Sequence, residues 1–259
     1  MLPAERIVKQ ITALVIFVII FGGLGFLAYE GLKPSAPTPT PPPILNLTPV
    51  YALSSKLFNV QNNDYDFVAK VKNPNQEYGS DSIQYELSLW DNDDELILRK
   101  YGTFYIMPGQ TKYIADLPMR LSRPAVRHDF KVVSINWLKV GETVGEDVSL
   151  VVRNITYSQP PGESFFSKAA GNVYNNSDFD LGEVGLVAVA FNSSGEPIAV
   201  NKTIINTFLA KTSRGFELKW QYPFVGSYST IEIEANTNIF ENANFIRRLG
   251  EQERFQQLY

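Results

Sequence analysis

From Ile83 to Leu89 apolar and polar residues alternate without a break, with Ile83, Tyr85, Leu87 and Leu89 on one side and Gln84, Glu86 and Ser88 on the other. A strand turns successive side chains to opposite faces, so the segment predicts a β-strand with one dry face and one wet face. Short runs rich in β-branched and aromatic residues recur at SKLFNVQ, DYDFVAKVKN, TKYIADL and FKVVSINWLKV. The breaks between them (NPNQEYGSD, DNDDE and MPGQ) are made of turn formers. Helical periodicity is almost absent from this part of the chain.

The N-terminus follows another pattern. Ile11 to Tyr29 is an uncharged run of nineteen residues. As a helix it spans about 28 Å, close to the ~30 Å of a bilayer core. A cleavable signal has a shorter apolar stretch and a small-x-small ending; here Phe26 stands where a small residue is needed. The span therefore predicts an uncleaved membrane anchor at residues 11–29, within a segment 1–32 that includes a cytoplasmic N-terminus. Arg6, Lys9 and the α-amino group precede the span against Lys33 after it, which places the N-terminus inside and the rest of the chain outside. Residues 33–43 carry six prolines and read as an extended, polyproline-II stalk.

The remaining chain contains a repeat. VAKVKNPNQEYGSDSIQYELSLWDNDDELI aligns with AGNVYNNSDFDLGEVGLVAVAFNSSGEPI at a spacing near 101 residues. Asn73 falls on Asn175, Trp90-Asp91 on Phe191-Asn192, Ile97 on Ile198 and Thr111 on Thr212. A period of about 100 residues with about seven short strands is the size of an immunoglobulin-like sandwich. The chain beyond the stalk is thus expected to be all-β, with two tandem immunoglobulin-like β-sandwiches at 44–142 and 146–240. GETVGE lies between them, and a tail follows at 241–259. The tail has loose helical spacing in Phe245, Leu249 and Phe255, weakened by Gly250; it either docks on the second domain or binds a partner.

Leu87-Ser88-Leu89-Trp90-Asp91 resembles the F-x-L-Y-D signature of bacterial FxLYD-type domains, which are immunoglobulin-like extracytoplasmic modules. The upstream Asn-rich turn, the D-x-x-G/E turn and the P-G-Q-T lead into the next strand are similar to that family as well. The second repeat keeps this framework but replaces the motif with Ala188-Val189-Ala190-Phe191-Asn192. The NPN turn with its alternating strand also resembles the WHy domain of late-embryogenesis proteins. The likeness covers two stretches of about fifty residues, and it implies a fold and an extracytoplasmic setting without catalytic residues.

Composition narrows the chemistry. The 259 residues contain no Cys and one His, and carry a net charge of −4. Disulfides, thiol nucleophiles and Cys-ligated metals are excluded, and no basic face offers itself to nucleic acid. Asp91–Glu95 gathers carboxylates, yet the second repeat has NSSGE in the same place, so the position reads as a hairpin turn rather than a calcium loop. His128 reads as a surface residue, since no nucleophile elbow accompanies it and Asp129 points to the opposite face of its strand. Trp90, Trp137, Trp220, Tyr101, Tyr105 and Tyr113 read as core residues before they read as a sugar platform. The five sequons, at Asn46, Asn154, Asn175, Asn192 and Asn201, are not taken as glycan sites.

One segment points outward. Val184 to Phe191, the counterpart of Ile83 to Trp90, is apolar on both faces. With the register retained, Leu186, Ala188 and Ala190 face the core and Val187, Val189 and Phe191 face out. A strand apolar on both sides is normally covered on both. The cover is the C-terminal tail, the other sandwich or a second molecule, unless a bulge turns Val187 and Val189 into the core. Val187, Val189 and Phe191 are the candidate partner-facing residues. The expectation is a non-enzymatic, membrane-anchored surface or envelope protein that acts as a scaffold, adhesion or assembly module. It has no cofactor and no metal site, and it binds an unidentified protein partner or another copy of itself. The alternative is an extracytoplasmic receptor for a small molecule or glycan.

Overall fold

The structure, a computed structural model, describes residues 3–32, 46–140, 148–242 and 255–257. The stalk expected at 33–43 and the GETVGE boundary lie outside the described residues. The chain divides into two compact units, residues 1–46 and 47–259. In the first, α1 (Pro3–Leu32) is a single helix. Its stretch Arg6–Leu32 is long and apolar enough to cross a membrane. A helix suits that composition because it satisfies every backbone polar group within the segment.

The second unit is built of antiparallel strands. Its first half holds β1 (Tyr51–Gln61), β2 (Asp64–Lys72), β3 (Tyr78–Trp90), β4 (Leu96–Ile106), β5 (Thr111–Arg120), β6 (Arg127–Ile135) and β7 (Leu138–Val140). The sheet β1-β2-β5 faces β4-β3-β6, and β7 pairs with the start of β3. Alternation in β3 sends Ile83, Tyr85, Leu87 and Leu89 inward, where they bury against Phe67, Val71 and Ile106. Gly102 is required here: a Cβ at that position would stand 2.4 Å from the Tyr85 ring.

The second half repeats the plan with β8 (Leu150–Ser158), β9 (Ser167–Asn175), β10 (Leu181–Phe191), β11 (Pro197–Phe208), β12 (Ser213–Trp220) and β13 (Thr230–Asn236). Its sheets are β8-β9-β12 and β11-β10-β13, around Val173, Leu181, Leu186, Phe208 and Trp220. The described chain is thus all-β beyond its helix, with two immunoglobulin-like sandwiches.

Two side-chain devices recur at equivalent places. Buried Asn73 donates from Nδ2 to the carbonyls of Tyr78 (2.6 Å) and Met107 (2.9 Å) and accepts the Asn75 amide. Buried Asn175 donates to the carbonyls of Phe179 (2.8 Å) and Phe208 (3.2 Å) and accepts the Ser177 amide. At the opposite end Asp91 Oδ1 accepts the amides of Asp93 and Glu95, and Asn192 Oδ1 those of Ser194 and Glu196. Both turns place a positive φ at the fourth position, in Asp94 and Gly195. Asx side chains satisfy tight turns in this way whether charged or not.

Two expectations are corrected. Thr111 is matched by Ser213 rather than Thr212, because the Asn73 amide donates to Gln110 O and the Asn175 amide to Thr212 O. The extra residue is absorbed in β11, which has twelve residues against eleven in β4. In the tail, residues 243–254 lie outside the described residues, while 255–257 form a strand, β14 (Phe255–Gln257), and not the end of a helix. β14 pairs antiparallel with β7, Phe255 opposite Val140 and Gln257 opposite Leu138. The edge of β7 offers a row of ladder groups that an extended tail can use and a helix cannot.

Candidate functional site

The outer face of β10 is covered by the first sandwich. Val187, Val189 and Phe191, with Val200 of β11, pack against Phe58 of β1, Val68 of β2 and Tyr113 of β5. Ala115 and Leu117 of β5 complete the contact. Register is kept through β10, so Leu186, Ala188 and Ala190 lie in the core and the odd-numbered residues face out. The outer face of sheet β1-β2-β5 therefore lies on the outer face of sheet β11-β10-β13.

A polar rim surrounds this apolar centre. The Tyr113 amide donates to Glu234 Oε2 (2.9 Å), and the Tyr113 hydroxyl donates to Glu232 Oε2 (2.7 Å). Lys70 Nζ lies 3.6 Å from the same Glu232 carboxylate. Lys202 reaches across to the Ala115 carbonyl (3.0 Å), and Gln110 donates to Asn236 Oδ1 (2.8 Å). Burial raises the Glu234 carboxyl above its usual range, partly offset by the Tyr113 amide and Lys112. Burial also pulls Lys112 down to about 7. Its ammonium sits 3.4 Å from the centre of the Tyr105 ring and donates to the Tyr105 carbonyl. Taking such charges out of water costs about as much as their attraction returns, so they add little net stability to the contact.

The other residues singled out by sequence disperse. Asp91 caps its turn and pairs with Arg123 at 2.8 Å, while Arg127 pairs with Asp94. Among the described residues no three His, Asp or Glu side chains converge on a common point. His128 is half-buried rather than on the surface, which corrects the expectation. Its Nε2 lies 3.0 Å from Ser55 Oγ in the seam between β1 and β6, its ring edge is against Phe67, and burial lowers its pKa. Asp129 is turned to Lys131, so it does not orient the Ser–His pair. Trp220 is buried with its Nε1 donating to Val200 O, Tyr113 lies in the sandwich contact, and Arg127 covers Trp90 at 3.9 Å. Tyr101 is exposed, and Trp137 packs at the edge of the first core. These six aromatics form no single platform.

Two features were not anticipated. One is an aromatic cluster at the end of sandwich 2 opposite Asn175. Tyr157 stacks on Tyr228 at 3.8 Å, and Phe224 meets Tyr157, Phe166 and Trp220. The aromatics of the loops QPPGESFF and QYPFVGSY were its only signal. The other is a pair of clefts at corresponding places, each where the first and last long strands of a sandwich separate. In sandwich 1 the cleft holds about 600 Å³ between Val50, Tyr51, Val133 and Trp137. In sandwich 2 it holds about 480 Å³ between Val148, Leu150, Ala235 and Ile239, with the turn Met107–Gln110 of sandwich 1 forming one wall.

No family model and no curated protein matches the chain. Among solved structures, red sea bream transglutaminase aligns at 12% identity and TM-score 0.21, over 72% of this chain and 29% of that one. A glycosyl hydrolase family 2 member from Bacteroides cellulosilyticus aligns at 13% identity and TM-score 0.22, over 68% of this chain and 27% of that one. The chain thus spans less than a third of the length of these proteins.

Proposed function

We propose that this chain is a non-enzymatic, single-pass surface or envelope protein that presents two joined sandwiches outside the cell membrane as a scaffold or assembly module. The observation that carries the reading is the cluster of Phe58, Val68, Tyr113, Val189 and Phe191. It turns two small domains into one compact unit with broad sheet faces, behind a helix suited to a membrane. Independent receptor modules on a flexible string have no need of such a contact. The similarity to FxLYD-type modules and the basic residues before the helix support the extracytoplasmic placement.

The receptor alternative draws on the aromatic end of sandwich 2, where exposed Tyr222 and Val225 lie in the loop that carries Phe224 and Tyr228. A ligand pocket needs concavity; the cavity beside Tyr222 and Val225 holds only about 20 Å³, and the clefts of about 480 and 600 Å³ are troughs open to solvent rather than enclosed pockets. The scaffold reading is therefore preferred.

The absence of native cysteine makes a clean labelling test. With exposed Glu163→Cys, a membrane-impermeant maleimide added to intact spheroplasts labels the chain. With Lys9→Cys it labels only after permeabilisation. The reverse pattern, or a mature chain lacking the helix, overturns the placement.

A further inference from the structure

Lys100 of β4 and Asp116 of β5 point into the interior of sandwich 1 from opposite sheets. Lys100 shares its side of the strand with Leu98 and Phe104, and Asp116 shares its side with Ile114, all of them packed in the first core. Lys100 Nζ stands 2.5 Å from Asp116 Oδ1, and the Tyr85 hydroxyl of β3 donates to the other oxygen, Oδ2, at 3.2 Å. The Asp116 side chain is 9% exposed, whereas that of Lys100 is 41% exposed at the edge of the sandwich. Phe104 and Phe130 pack on the Tyr85 ring, and Gly102 leaves that ring its space. Burial and the Asp116 carboxylate raise the Tyr85 pKa, so its hydroxyl stays a donor.

Sandwich 2 has no such set. Leu87 pairs with Lys100 as Ala188 pairs with Asn201, and Phe67 pairs with Asp116 as Ala169 pairs with Leu218. Tyr85 pairs with Val132 as Leu186 pairs with Ala235. Leu186 and Leu218 are buried in the second core, and Asn201 donates its Nδ2 to the Lys219 carbonyl. The sandwich therefore closes with leucines at the places of Tyr85 and Asp116. An ion pair drawn out of water adds little over an apolar set of similar size, so stability does not account for the trio. Lys131–Asp129 and Lys211–Asp178 are also close pairs, at 2.6 and 2.9 Å, but their carboxylates are exposed.

We propose that Lys100 Nζ and Asp116 Cγ join in an amide bond, a self-made cross-link between the two sheets of sandwich 1. Contact with Oδ1 brings Nζ near the ~3–3.5 Å from which a reacting pair attacks, and pairs held this way reach effective molarities of ~10⁵–10⁸ M. The ammonium passes one proton to Oδ1, and the freed amine attacks Cγ. Negative charge develops on Oδ2, where the Tyr85 hydroxyl already donates. The amine passes a second proton to Oδ1, the Cγ–Oδ1 bond breaks, and water leaves past the partly exposed Lys100 stem. Oδ2 remains as the amide carbonyl oxygen. An ammonium and a carboxylate thus become an amide and water, with net charge conserved and the step balanced without a co-reactant. The bond ties two sheets together in a chain that has no cysteine to do so.

The test is the intact mass of the full chain, purified in detergent micelles and then denatured. The wild type is expected to weigh one water less than its sequence, with fragment ions that place the loss on a link between Lys100 and Asp116. Lys100→Arg keeps a cation opposite Asp116 but has no amine to acylate, so it is expected at full sequence mass with the circular dichroism of the wild type. Tyr85→Phe keeps the ring and removes the donor; in protein harvested soon after synthesis its link should form about a hundredfold more slowly. A wild type of full sequence mass overturns the proposal. A Lys100→Arg chain that is also one water short overturns it too, because the loss then lies elsewhere in the chain. A Tyr85→Phe chain that matures at the wild-type rate overturns Tyr85 as the donor to Oδ2. The measurement uses purified protein, so it stands or falls separately from the labelling experiment on membrane placement.

Discussion

Replacing Lys112 with Met removes a charge that the sandwich contact holds out of water. Lys112 is buried on β5, and its ammonium has the Tyr105 ring at 3.4 Å, the Tyr105 carbonyl at 3.2 Å and Glu234 as its opposing charge. Burial lowers its pKa from 10.5 to about 7. Between those values the unfolded chain binds the proton and the folded chain does not, so stability rises with pH across this window. Below pH 7 both states are protonated and the full penalty of the buried charge applies. At about 1.36 kcal/mol per pH unit, the 3.5-unit interval sets a ceiling of about 5 kcal/mol. Methionine keeps the length of the stem but loses the hydrogen bond and the partner of Glu234, so a net gain of about 1–3 kcal/mol is expected at pH 6. Urea melts of residues 47–259 from pH 6 to 10, followed by tryptophan fluorescence, measure the difference between variant and wild type. Other titrations largely cancel in that difference, which should shrink as pH rises. A difference that is flat over the range, or a variant less stable than wild type at pH 6, refutes the reasoning.

Asn175→Ala leaves the carbonyls of Phe179 and Phe208 without their buried donor and should cost about 2–4 kcal/mol in the same melts; a loss under about 1 kcal/mol would show that the clamp is dispensable. The pair Val187→Thr with Val189→Thr puts two hydroxyls into the sandwich contact and should cost about 2–4 kcal/mol together while both cores stay intact. Hydrogen exchange localises the effect: protection should fall first on β5 and β13, and a loss that begins instead at Leu186 and Ala188 would place the damage in the core.

Much of this was legible in residue order. Alternation placed Ile83 to Leu89 correctly, and the repeat then gave the direction of every side chain from Leu186 to Phe191. Periodicity tells which face is dry but not what dries it, so the sequence left three covers for Val187 and Val189 and the structure supplies the first sandwich. The same contact hides the logic of β5. In Thr111-Lys112-Tyr113-Ile114 both faces are covered, and a lysine lies where alternation predicts nothing unusual. His128 looked exposed because no local signal reports that β1 passes beside β6. The tail looked helical because three apolar residues suit a helix face, whereas the strand at 255–257 depends on the distant edge of β7.

The hydrogen bonds at the start of the β unit have a mechanical consequence. Thr48 donates its amide to Asn75 Oδ1, and Asn75 Nδ2 donates back to the Thr48 carbonyl. Asn75 is itself tied to Asn73, which grips the carbonyls at the start of β3 and the end of β4. A pull on the chain from the side of residue 46 therefore reaches this knot before it reaches the first rung of β1. The load is shared between the two sheets of sandwich 1 instead of opening the β1–β2 ladder one bond at a time. Loss of Asn75 alone would turn shear into unzipping, lowering the force at which the domain yields while barely changing its stability at rest.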